Sequence, residues 1–149
     1  MYCRKNYGES KNKIKKEKEM EKFKVTVKLN CTAKDVFKGW LDDKIHAEFT
    51  GGATAKINAT EGGTFSAYDG YITGTNVEIF PYKKIIQKWR TTEFDTKDPD
   101  SVLEIWFTQK EDYTLVALSH TNLPEGEGDK YKKGWKDHYF TFMKKYFEN

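Results

Sequence analysis

The chain has 149 residues, of which 37% are hydrophobic, 33% charged and 15% aromatic. That length suits one domain, which on folding buries roughly 70% of its unfolded surface and needs no disulfide to hold its core. No run of 18 apolar residues exists, which excludes a membrane-spanning helix, and the formal net charge of +3 is carried unevenly.

Residues 1–22 hold eight basic and four acidic side chains, and the rest of the chain 18 basic against 19 acidic. The excess positive charge therefore belongs to a leader, expected to be flexible and solvated. It lacks the apolar stretch of a secretory signal, so a cytoplasmic protein is expected. Cys3 and Cys31 could form at most one bridge, and reduced thiols fit that compartment. Only Arg4 and Arg90 are arginines. Base and phosphate readout leans on arginine, so no specific nucleic-acid partner is expected.

From Phe23 to Leu29 apolar and polar residues alternate, the pattern of a half-buried strand. Thr32 then offers a helix cap, with Asp35 in the first turn and Val36, Phe37, Trp40 and Leu41 at helical spacing. A second short helix from Asp42 or Asp43 to about Glu48 stops before Thr50-Gly51-Gly52. A ladder of strands follows, at 54–59, 64–68, 71–80, 84–92, 102–109 and 113–121. Asp69-Gly70 is a hairpin signal between the second and third of these. Gly128 to Phe147 reads as one long helix.

At about 100° per residue, Tyr131, Trp135, His138, Tyr139, Phe142, Met143 and Tyr146 fall within an arc of about 140° on that helix. Phe140 lies about 180° from Tyr131 and Phe147 about 160°, among the lysines. The fold class is α+β: a curved antiparallel sheet of six to seven strands wrapped on a long C-terminal helix, with two short helices after the first strand. A sheet curled in this way often leaves a ligand cavity against the helix.

Trp40, Phe65, Trp89, Trp106, Trp135, His138, Tyr139 and Phe142 are expected between sheet and helix, either as filled core or as the lining of such a cavity. His46, His120 and His138 show no paired metal spacing; they read as hydrogen-bonded core or boundary residues, with His120 or His138 alternatively lining a pocket. Cys31, just before a helix start, could have a lowered thiol pKa, but no neighbouring histidine supports a nucleophile. No phosphate loop or nucleophile elbow is present, and neither a catalytic centre nor a cofactor is expected. Phe140 is either capped by a sheet edge or exposed as a partner contact. In the second case Phe147, Lys132, Lys133, Lys136 and Lys144 belong to the same surface.

The order of elements resembles the START-like, birch-pollen-allergen-like helix-grip fold. Three segments within it resemble the C-terminal domain of the activator of heat shock protein 90 ATPase: Phe49-Thr50-Gly51-Gly52-Ala53; Gly62 through Gly74, continuing to Pro81 and Lys84–Arg90; and Gly134–Phe140 with Met143–Phe147 behind it. The resemblance covers residues 23–149. It implies a non-enzymatic, co-chaperone-like protein that binds heat shock protein 90 and activates its ATPase. Full-length members carry a further N-terminal domain, which a leader of 22 residues is too short to be. The alternative is a carrier of a small apolar ligand held between sheet and helix, and a weaker third is an enzyme using that cavity through His120 or His138.

Overall fold

The computed structural model describes residues 19–148. Most of the expected leader, and Cys3 with it, lies outside the described residues. The alternating segment forms strand β1, Glu21–Leu29, with Val25, Val27 and Leu29 turned inward. It starts two residues before Phe23 because the Glu21 carboxylate accepts the backbone N–H groups of Gly126 (2.6 Å) and Gly128 (2.7 Å). Those bonds fasten the strand's beginning to the start of the C-terminal helix.

Thr32 Oγ1 accepts the Asp35 N–H and opens helix α1, Ala33–Trp40. Asp42 Oδ1 does the same from the Ile45 N–H for helix α2, Asp43–Phe49. Both caps satisfy donors that a helix start leaves without intrahelical partners. Val36, Phe37, Trp40 and Phe49 face the core.

The ladder consists of β2 (Lys56–Ile57), β3 (Thr64–Ala67), β4 (Ile72–Phe80), β5 (Lys84–Thr91), β6 (Ser101–Gln109) and β7 (Thr114–Leu123). Among the described residues seven strands form one antiparallel sheet in the order β1-β7-β6-β5-β4-β3-β2. β2 is shorter than the expected 54–59. Fully buried Asn76, at a bulge in β4, takes over the backbone that would have extended it: its Nδ2 donates to Asn58 O at 2.9 Å, and its own carbonyl accepts the Gly62 N–H at 2.7 Å. The hairpin at Asp69-Gly70 is present, but its connection spans four residues, since Ala67 pairs with Ile72. Tyr68, Asp69 and Gly70 all have positive φ, and Asp69 Oδ1 holds the Thr54 N–H at 2.9 Å. On β4, Gly74 is a position where a Cβ would lie 2.0 Å from the Lys88 carbonyl and 2.4 Å from the Phe65 ring, so only glycine allows the pairing with Trp89.

The last helix, α3, begins as an α-helix (Gly128–Trp135), passes through a π-turn (Lys136–Phe140) and ends as an α-helix (Thr141–Tyr146). Within the π-turn the Thr141 N–H and its hydroxyl both reach Lys136 O. One extra residue in a turn rotates everything after it by about 100°. That rotation corrects the uniform wheel. Phe140, expected on the lysine face, is buried, and Phe147 packs its ring 5.7 Å from Phe49. His138 and Tyr146 are exposed instead.

The core lies between the inner sheet face and α1, α2 and α3. Trp106 does not belong to it. Leu103, Ile105 and Phe107 of β6 point inward, so Trp106 points outward and is 42% exposed.

Candidate functional site

Where the inner ends of β4 and β5 meet α3, the fold leaves a cleft of about 520 Å³. Its walls are mainly aromatic: Tyr68 from the β3–β4 connection, Tyr71 beside β4, Trp89 from β5, and Tyr131, Trp135 and Tyr139 from successive turns of α3. Tyr68 OH donates to the His138 carbonyl at 2.6 Å, spanning from the hairpin loop to the π-turn. The positive φ of Tyr68 sets that reach, and the π-turn presents the carbonyl.

Behind the wall, polar groups are satisfied in two chains. The Trp135 indole N–H donates to His120 Nδ1 (3.1 Å), His120 Nε2 donates to Ser101 Oγ (2.8 Å), and Ser101 donates to the Trp89 carbonyl (2.6 Å). His46 Nδ1 donates to the Trp40 carbonyl (2.8 Å), and its Nε2 accepts from Tyr139 OH (2.7 Å). In both cases the partners dictate the tautomer and a neutral ring. Burial pushes the pKa of His120 down to about 3 and that of His46 to about 4; for His46 the Trp40 carbonyl and Asp43 pull weakly the other way. These are core histidines with complete partners rather than acid–base groups facing the cleft.

The rim is charged but paired. Lys130 Nζ lies 2.7 Å from Glu93 Oε1 and 2.5 Å from Glu127, and Tyr71 OH donates to Glu93 Oε2 at 2.5 Å. Lys130 and then Tyr71 hold the Glu93 carboxyl below its usual range, while burial, followed by the bond to Glu93, raises Tyr71. Tyr131 OH shares a 2.7 Å hydrogen bond with Thr91 Oγ1. The cleft thus offers ring faces inside and a neutralised polar edge outside, which suits a flat apolar molecule better than an ion.

Trp89, Trp135 and Tyr139 line this cleft, and His138 stands at its edge through the π-turn. Trp40 and Phe65 are buried away from it, with the Trp40 indole N–H lacking an acceptor among the described residues. Phe142 is half-buried against Gly51, and Trp106 lies on the opposite side of the sheet. Of the expected helix surface, Lys132, Lys133, Lys136 and Lys144 are exposed, with Lys133 bound to Asp137 at 2.7 Å, while Phe140 and Phe147 have turned inward. The Cys31 thiol is pushed up to about 12 by burial and then by Asp35, the reverse of the lowering that a helix start could cause. Tyr68, Tyr71, Glu93 and Lys130 were not singled out from the sequence; all but Lys130 lie in or beside loops whose path only the fold determines.

Residues 30–148 match the family described as Activator of Hsp90 ATPase homolog 1-like protein. The human "Activator of 90 kDa heat shock protein ATPase homolog 1" is 27% identical over 95 residues, which are 64% of this chain and 28% of that protein. The chain therefore matches little more than a quarter of that relative's length. An HSP90 activator from Plasmodium falciparum superposes with a TM-score of 0.72 at 26% identity, covering 80% of this chain and 90% of that one. Ara h 8.0201 shares the fold with a TM-score of 0.68 at 12% identity, covering 87% and 98% of the two chains.

Proposed function

We propose, since the chain belongs to the activator of Hsp90 ATPase homolog 1-like family, that it is a co-chaperone-like protein that docks on heat shock protein 90 and raises its rate of ATP turnover. The observation that carries this reading is the family match over residues 30–148, supported by the likeness to a solved HSP90 activator. To stimulate turnover, the domain must bind the ATPase-competent arrangement of the chaperone more tightly than the idle one. A ligand with equal affinity for both shifts nothing. On this reading the protein acts in the cytoplasm, and the folded unit that begins with β1 at Glu21 is the part that docks.

The direct test is steady-state ATP hydrolysis by the cognate heat shock protein 90 as this chain is titrated in. Turnover rising to a plateau is expected, and an unchanged rate at saturation contradicts activation. A second reading, a carrier of a small apolar ligand, draws on the aromatic cleft of about 520 Å³ and its paired rim. An unchanged rate together with an apolar molecule retained in native mass spectrometry would favour that reading.

A further inference from the structure

We infer that the outer face of the sheet, centred on Trp106, is the docking surface, and that it fits an acidic protein surface with an apolar centre. The inference rests on the chaperone reading and names the face that serves it.

The face turned away from α3 carries an aromatic row built by the strand register. Phe80 pairs with Lys84, Lys84 with Trp106, and Trp106 with Ala117. Side chains directly opposite across antiparallel strands touch, and the row packs accordingly. The Lys84 ammonium lies 4.9 Å from the Phe80 ring centre and 4.5 Å from that of Trp106. Phe80 is 44% exposed and Trp106 42%, with half-buried Ile86 and Leu115 beside them. Single exposed apolar residues are ordinary, but a contiguous group containing a tryptophan marks an interaction surface.

Charge selects the occupant. Lys24, Lys28, Lys84 and Lys88 lie on this face against Glu78 and Glu104. A second copy of the chain placed here by a twofold axis would set lysine against lysine, so self-association is disfavoured. Arg90, the arginine on this face, is held by Asp100 at 2.9 Å, which leaves nucleic acid without the usual guanidinium contacts. An acidic protein surface meets both the lysines and the aromatic row. The lysine face of α3 has a single exposed large hydrophobic ring, Tyr146, packed edge-on against Phe49 and Phe147, and no aromatic row, because the π-turn has taken Phe140 and Phe147 inward.

The test measures binding of the full chain to heat shock protein 90 by calorimetry, using the wild type, Trp106→Ala, Lys84→Glu and, on α3, Lys132→Glu/Lys136→Glu. Urea midpoints confirm that each variant is folded; the substituted side chains are exposed or only half-buried. Trp106→Ala and Lys84→Glu are each expected to weaken Kd by about tenfold or more. The α3 variant should stay within about twofold, the usual effect of peripheral charges. Unchanged affinity in both sheet variants, with the wild type bound, overturns this face while leaving the docking reading intact. No binding by the wild type overturns both. Retention of an oligothymidine strand that is lost in Trp106→Ala, with no chaperone bound, would also overturn the inference, in favour of nucleic acid.

Discussion

Between pH 7 and pH 5 the domain is expected to lose about 3–4 kcal/mol of stability, almost all of it through two histidines. His46 and His120 are buried and neutral, with their native pKa values pushed down by burial to about 4 and about 3. Unfolded, each titrates near the ordinary value of about 6.5. Below that value the unfolded chain binds protons that the native state refuses, so stability falls as the pH falls. The loss begins near pH 6.5 and continues down to the native pKa values. Protonation would also turn His46 Nε2 and His120 Nδ1 from acceptors into donors, facing the Tyr139 hydroxyl and the Trp135 N–H. Urea denaturation at pH 7 and pH 5 measures the effect. A coincident midpoint at the two values would mean that the native rings take up protons freely, against the closed chains described for them.

Trp135→Ala is expected to cost about 3–5 kcal/mol, a large part of the roughly 5–15 kcal/mol that holds such a domain together. The ring is 2% exposed and lies 4.6 Å from Tyr139, 5.7 Å from Trp89 and 6.0 Å from both Trp40 and His120, centre to centre. Its removal opens a void behind the cleft and leaves His120 Nδ1 without its donor. Trp135→Phe separates the two contributions. It keeps most of the packing and loses the hydrogen bond, so a cost of about 1–3 kcal/mol is expected. Equal costs for the two variants would mean that the hydrogen bond, and not the ring, carries the site. A domain that tolerated Trp135→Ala would have a loosely packed cleft.

The parts of the fold that were legible in the sequence are those encoded locally. Thr32 and Asp42 cap their helices as side-chain chemistry requires, and the alternation in Phe23–Leu29 specifies a strand with one face buried. Trp106 was also legible, because Leu103, Ile105 and Phe107 commit the odd positions of β6 to the core. Treating large aromatics as inward regardless of register misplaced it. The π-turn was not legible, since no residue type marks the point at which a helix takes in one extra residue. Its energetic support comes from the burial of Phe140 in the core and from the Tyr68 bond to the His138 carbonyl. The cleft was half legible. Trp89, Trp135 and Tyr139 follow from periodicity, whereas Tyr68 and Tyr71 arrive on the turn that Asp69 ties to Thr54, and Glu93 on the turn after β5, where its N–H donates to Thr91 Oγ1.

A domain that stimulates heat shock protein 90 as proposed must favour its ATP-competent form, so its affinity for the chaperone is to be measured with and without a non-hydrolysable ATP analogue. Binding is expected in both cases, with Kd at least about tenfold lower when the analogue is present, a difference of about 1.4 kcal/mol. Equal Kd values in the two states would contradict it.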